Sequence, residues 1–440
     1  MTLLWKTEEE RFRGLFNALN NSAKLFKAWL FHIPLICTSD PDMIQKILTS
    51  PQCVQKPHFY DILKFEFGLL VAHSDVWKRQ RKALNPSFNQ KILHGFIPIF
   101  DRTAQTLAKK LSQYADGEKI QITDFMTRCT LEMVCATTID CNINEDPEAD
   151  KFSHLIDKIT EFVLNKLLNP LLCVESIYRL TKHYKMEEAT RTELSQFVHK
   201  VFRNAKAQRA KRETFSETAN DEDYRKPKIF IDQLLDLYDQ KLFNDIEMFD
   251  NVVTMIVAGT DTSGTVMGFV AHMLAIYPHL QEKVYQEISG VFPANKNLHF
   301  TPENLSQLQY TEMFIKETLR HFPLGPMFLR APLSDIELDE VQVPADIWGP
   351  EAEEFNPDNF FPERIENRHP FAFLPFSGGI RNCIGYRYAM ISMKVMMVHL
   401  LTNFRFKSDL MSRKDLRLKY SLLLKLSEEP GIKLERRLKA

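Results

Sequence analysis

The chain has 440 residues, 44% of them hydrophobic and 26% charged, with a formal net charge of −1. This balance permits a large core and argues against global disorder, and the near-zero charge gives no electrostatic case for a nucleic-acid partner. Fourteen glycines are few for a β-rich protein; seven scattered cysteines (Cys37, Cys53, Cys129, Cys135, Cys141, Cys173 and Cys383), with no CxxC pair, argue against a secreted disulfide scaffold and for a reducing compartment.

In chain order, the opening residues hold no apolar run long enough for a signal peptide or membrane anchor. Residues 39–49 read as a capped amphipathic helix, with Ser39 or Asp40 as N-cap. From about 96 to 210 the apolar spacing predicts helix after helix. Polar residues 213–228 break that pattern and are expected as a mobile surface loop. A helix restarts at Phe230. Residues 251–277 are long enough to span a bilayer, but Thr260, Asp261, Thr262 and Ser263 near the middle would be penalised in hydrocarbon, so a buried core helix is expected. Helices follow at about 279–291 and 302–321. Between Pro323 and Pro375 prolines multiply, and alternation over Ser334–Val343 predicts short strand and loop. A helix returns after Gly385, and Leu418–Arg436 is strand-like with a turn at Glu429-Pro430-Gly431. No repeat or linker divides the chain, so one mainly α unit over 1–440 with a small β part is expected.

Four motifs carry chemistry. The first is Phe376, Gly379, Arg381, Cys383 and Gly385, in the frame F-x-x-G-x-R-x-C-x-G. A lone cysteine is usually a small buried hydrophobe, but five fixed positions match by chance on the order of 10⁻⁴ times in such a chain. Two glycines let the backbone turn tightly and approach a flat macrocycle. A cysteine just before a helix is placed where a thiolate is stabilised. Zinc is a poor fit, since no second Cys or His lies at ligand spacing.

The second motif is Ala258-Gly-Thr-Asp-Thr-Ser263. Gly259 and Gly264 have P-loop spacing, but Thr265 stands where lysine is required. On a helix, Met255, Ala258, Gly259, Thr262 and Val266 share a face. There a small residue makes room beside a hydroxyl, and Thr262 can bond a carbonyl one turn back. The third, Glu317-Thr-Leu-Arg320, is by itself an ordinary i,i+3 pair. The fourth, Trp77-Lys-Arg-Gln-Arg81, puts Trp77 and Arg81 on one face of a basic helix.

Together these motifs resemble the cytochrome P450 superfamily from about residue 35 to 436, and at Phe230-Ile-Asp-Gln-Leu-Leu the insect-like fatty-acid ω-hydroxylase branch. The resemblance implies the P450 fold, with haem b between a long central helix and the cysteine loop. Cys383 would be the axial iron ligand, whose thiolate favours O–O cleavage. Trp77, Arg81, Arg330 and Arg381 would bind propionates, and Phe376 and Gly385 would complete the cofactor-binding set. Asp261 and Thr262 would manage the protons that dioxygen cleavage needs. Glu317 and Arg320 would brace the core. Asn359 stands where the family usually has an arginine, and an amide cannot make the charged fork contact, so a weaker brace is expected, with Arg364 as a substitute. Some relatives carry a glutamate esterified to haem where Ala258 stands, so non-covalent haem is expected.

The activity implied is insertion of one oxygen atom from O₂ into a small apolar substrate: a fatty acid, hormone or xenobiotic. Electrons would come from NADPH through a flavoprotein reductase, since the chain has no G-x-G-x-x-G of its own. Met255, Val257, Ala258, Leu324, Met327, Phe328 and Leu423 are candidates for the pocket wall. Lys78, Arg79 and Lys82 are candidates for a reductase surface. Relative to the family, residues 1–34 are divergent and lack the anchor, so the endoplasmic reticulum membrane would be touched peripherally on its cytosolic face, through Leu164–Leu172, or not at all. Between Pro344 and Trp348 the chain is roughly fifteen residues short of the family pattern, about two strands' worth. The alternative reading, a catalytically impaired or non-catalytic haem or scaffold protein, rests on that departure.

Overall fold

The computed structural model describes residues 9–10, 14, 25–30, 33–65, 67–141, 148–169, 171–216, 229–293, 298–336, 348, 351–420 and 423–437. Residues 9, 10 and 14 are helical, and an antiparallel hairpin follows, β1 (Leu25–Leu30) and β2 (Ile33–Thr38), in which Leu25 pairs with Thr38. Helices follow: α1 (Pro41–Thr49), α2 (Ser74–Leu84), α3 (Gln90–Gly95), α4 (Ile97–Leu111), α5 (Thr123–Thr138), α6 (Glu148–Leu168), α7 (Glu175–Tyr178) and α8 (Lys182–Ser216). Then come α9 (Phe230–Asp239), α10 (Asp245–Ile276), α11 (Pro278–Val291), α12 (Pro302–Gln307), α13 (Gln309–His321), α14 (Pro362–Ile365) and α15 (Tyr386–Asn403). The C-terminal part contains β3 (Phe404–Lys407), β4 (Leu418–Tyr420), β5 (Leu424–Leu426) and β6 (Lys433–Arg436). β3 pairs with β6 and β4 with β5, both antiparallel.

Local chemistry sets the boundaries. Asp40 caps α1 by accepting from the backbone N–H groups of Asp42 and Met43, at 2.9 and 3.0 Å. Asn244 and Glu247 form a reciprocal box at the start of α10. The helix expected over 302–321 is instead two. Leu308 leaves helical geometry, and α13 restarts with its Tyr310 and Thr311 N–H groups donating to Glu287 of α11 at 2.6 and 2.8 Å. A tertiary carboxylate supplies the cap, so local spacing could not show the break. The loop expected from 213 begins later, because α8 continues to Ser216; residues 217–228 lie outside the described residues. So does 337–347, which holds most of the alternating segment.

α10 runs through the core, buried without interruption from Ser263 to Ile276, and packs along α5. The approach is close because glycines face α5: a Cβ on Gly259 would lie 2.8 Å from Val134 Cγ2, and one on Gly264 would lie 2.5 Å from Thr127 Cα. Thr130 of α5 donates to the Thr260 carbonyl at 2.9 Å, across the same seam. Phe269 of α10 stacks on Phe322 at 4.5 Å. α4 packs along α15, and α6 along α8.

Candidate functional site

The cysteine loop is docked onto the end of α1. Gly379 has φ +65°, and a Cβ there would fall 1.9 Å from the Leu48 carbonyl oxygen, which accepts from Ile380 N–H at 3.1 Å. Cys383 N–H donates to the Phe376 carbonyl at 2.9 Å, closing the turn, and the Phe376 ring meets Tyr386 at 4.7 Å. The Cys383 side chain is exposed to open space yet crowded by protein atoms. Burial pushes its thiol up, while the backbone N–H groups of Gly385 and Tyr386 and the Arg81 charge pull it down. The helix-end effect expected from sequence is present, but desolvation outweighs it in the protein alone.

Beside the cysteine lies a cluster of cations. Arg381 is buried, lies over the Trp77 ring at 4.8 Å, and donates to the carbonyls of Val54 (3.1 Å) and Ala72 (2.5 Å). Arg81 donates to the main-chain and side-chain oxygens of Asn382, both at 2.8 Å. Arg330 donates to its neighbour's carbonyl, and Lys56 lies over the Tyr60 ring at 4.4 Å. Burial, then the charges of Arg330 and Arg381, push Lys56 down to about 7. Burial, then Arg330, take Arg381 down to about 9 despite the opposing effect of Tyr60. Among the described residues, the partners of these cations are carbonyls, an amide, the Tyr60 hydroxyl and rings; none is a carboxylate. Half-desolvated positive charge without a counter-ion is costly. A flat ligand carrying two carboxylates fits that need, and a thiol with two N–H donors at its sulfur fits the iron end. Sequence reasoning missed Lys56 and Tyr60, which stand in no motif; only the fold brings them beside Arg330 and Arg381.

A cavity of about 770 Å³ reaches Cys383, with Arg81, Phe88, Phe376 and Tyr386 among its lining residues. None of its lining comes from α10. The α10 motif instead has its own partly open surface: Val257, Ala258, Gly259, Asp261 and Thr262 are half-buried in a helix otherwise largely buried. Thr262 Oγ1 donates to the Ala258 carbonyl at 2.6 Å, the one-turn bond that the sequence suggested. Asp261 Oδ1 accepts from Lys425 Nζ at 2.8 Å. Gly259 does not make room on the groove side; its missing Cβ makes room for α5. Of the pocket-wall candidates, Met327 and Phe328 are exposed, Val257, Ala258 and Leu423 half-buried, and Met255 and Leu324 buried in the core.

The Glu317–Arg320 pair is buried and bidentate: Arg320 Nε donates to Oε2 at 2.7 Å and Nη2 to Oε1 at 2.8 Å. Burial pushes the Glu317 carboxyl up, but hydrogen bonds from Arg320 and His321 and the Arg320 charge outweigh it and hold it at about 2. Asn359 does join the brace, donating to Glu317 Oε1 at 3.3 Å while its Oδ1 accepts from Arg364 (3.3 Å) and Arg368 (3.4 Å). Arg364 therefore reaches the carboxylate through the amide rather than replacing it. Arg368, which no motif marked, also covers the Trp348 ring at 4.3 Å, with Arg320 at 4.9 Å.

Of the basic residues on α2, Lys78 and Lys82 are exposed, but Arg79 is tied to Glu247 and to the Leu242 carbonyl and is not free for a partner. Among the described residues of Leu164–Leu172, Leu171 is the exposed apolar one, and exposure continues beyond it through Val174, Ile177 and Leu180. Among the described residues no helix is long and apolar enough to cross a membrane.

Comparison with known proteins gives a match to the family described as Cytochrome P450 over residues 1–434, starting further towards the N-terminus than the motifs suggested. The chain is 31% identical to Cytochrome P450 4c21 of Blattella germanica, over 93% of this chain and 85% of that protein. It is 28% identical to Probable cytochrome P450 313a4 of Drosophila melanogaster, over 98% and 91%. It is 29% identical to Cytochrome P450 4V2 of Homo sapiens, over 94% and 82%.

Proposed function

Since this chain belongs to the cytochrome P450 family and is a monooxygenase by that membership, we propose that it hydroxylates a small apolar substrate (a fatty acid, hormone or xenobiotic) with electrons from NADPH delivered by a flavoprotein reductase. One atom of O₂ goes into a C–H bond, and the other leaves as water with two electrons and two protons. Haem b, held non-covalently, would supply the oxygen chemistry when bound. Cys383 would ligate the iron, with the Gly385 and Tyr386 N–H groups directed at its sulfur. Lys56, Arg81, Arg330 and Arg381 would hold the propionates. Asp261 and Thr262 would hold and pass protons, and Met327, Phe328 and Leu423 would line the substrate space. The observation that carries this reading is a cation cluster without a carboxylate among the described residues, beside a thiol with two N–H donors.

The test is the spectrum of the reduced CO complex. A strongly red-shifted Soret band is expected for the wild type, and its loss in Cys383→Ala. A wild type that binds haem without that band, or binds none, overturns the proposal. The reductase would dock on the face carrying Lys78 and Lys82. Reversing both charges should slow reduction most at low salt, and equal rates across a salt series would reject that face. We place the protein peripherally at the cytosolic face of the endoplasmic reticulum, through the exposed apolar residues Leu171, Val174, Ile177 and Leu180. Release by carbonate washing is the expected result; a need for detergent would contradict it.

A further inference from the structure

The proposed function leaves one contact of its own site unexplained. Neither of the two α10 residues assigned to protons is hydrogen-bonded to the other: Thr262 is committed to the Ala258 carbonyl, and Asp261 to Lys425. Lys425 is the middle residue of β5, in the C-terminal hairpin. Its neighbour Leu424 is buried and its N–H donates to the Leu324 carbonyl at 2.9 Å, so the strand that follows Leu423 is anchored on the core. Side chains alternate along a strand; with Leu424 inward, the Lys425 ammonium emerges beside α10. Both ends of the pair are about one-third exposed, at 32% for Lys425 and 30% for Asp261. The contact therefore stands at the boundary between bulk water and the half-open stretch of α10.

We propose that Lys425 is the positioning residue for the proton-handling acid. It parks the Asp261 carboxylate at the solvent edge, and the carboxylate serves Thr262 only when that contact opens. The inference rests on reading Asp261 and Thr262 as the proton-handling pair. A partly exposed ion pair is weak and screened, so it opens readily, as a resting contact for a moving carboxylate must. Its anchorage on the hairpin also gives proton entry a link to the pocket wall: displacement of Leu423 or Leu424 by a substrate moves the strand that holds Lys425.

The experiment uses the full chain loaded with haem, with NADPH and a reductase and no added substrate. Lys425→Met should raise NADPH consumption by on the order of fivefold, the shift in population that an exposed ion pair can impose. Lys425→Arg should restore the wild-type rate. In an Asp261→Asn background Lys425→Met should have no further effect. A second readout needs no turnover: hydrogen exchange at residues 258–262 and 424–426 should quicken in Lys425→Met and not in Lys425→Arg. Unchanged rate and exchange in Lys425→Met, or the same effect with and without Asp261, overturns the proposal. A wild type lacking the red-shifted CO band counts against the monooxygenase reading instead, and the exchange cycle then judges the pairing by itself.

Discussion

Glu317 shows what one buried carboxylate contributes. Its side chain is fully buried and bound by Arg320, His321, Asn359 and the Asn356 N–H. Its carboxyl is held at about 2 in the fold against an ordinary value of 4.5. A depressed carboxylate adds stability that is complete above about 4.5 and is lost as pH falls through about 2. That difference corresponds to about 3 kcal/mol. Glu317→Gln removes the charge and leaves Arg320 buried with the carbonyls of Ala352 and Glu354 and, among the described residues, no carboxylate counter-ion, so it should cost about 3–5 kcal/mol at neutral pH. Denaturant unfolding measured at pH 7 and pH 3 checks this: the variant's deficit should shrink at the lower pH. An equal deficit at both would place the effect in packing instead. E-x-x-R was legible in the sequence, but its burial was not, since an i,i+3 pair reads the same on a surface.

The glycines divide at the scale of the element. Gly264 sits where α10 meets α5, with the backbone of Thr127 at 2.5 Å from any added Cβ. Gly290, in α11, would have nothing within 4 Å. Alanine favours a helix over glycine by about 0.8–1.0 kcal/mol. Gly290→Ala should therefore stabilise the protein by about 0.5–1 kcal/mol. Gly264→Ala gains the same propensity but must push two helices apart, a cost of about 1–3 kcal/mol or more, so its net effect is a loss. Melting temperatures of the two variants should move in opposite directions. Both moving upward would mean that the α5–α10 seam is looser than these distances require.

Across the whole molecule, one ion network fastens distant parts of the chain. Glu187 of α8 accepts from the Tyr178 hydroxyl of α7 at 2.7 Å and from Arg191 at 2.8 Å. It is also paired with Lys166 of α6 at 3.4 Å and Lys64 at 3.7 Å. Arg191 also donates to the Leu63 carbonyl, which ties α8 to the loop that carries Tyr60 and follows Lys56. Glu187→Gln would leave Lys64, Lys166 and Arg191 facing one another. Hydrogen exchange should then quicken at residues 58–65 and 182–195 more than in α15; uniform quickening would mean global destabilisation.

The chain by itself determined the helices whose periodicity is strong, the large core, and the cysteine frame, because these depend on local spacing and residue type. It also marked Thr262 and Glu317, through the bonds that Thr262 makes to Ala258 and Glu317 to Arg320, four and three positions away. It could not show the break at Leu308, the tie on Arg79, the role of Gly259 against α5, or the partners Lys56, Arg368 and Lys425. Each of those depends on a group far off in the chain: Glu287 caps Tyr310, Glu247 holds Arg79, and Lys425 meets Asp261 across 164 positions. Charge and hydrogen bonding act through space over a few ångströms, so only the tertiary structure decides which of many similar side chains fall within reach.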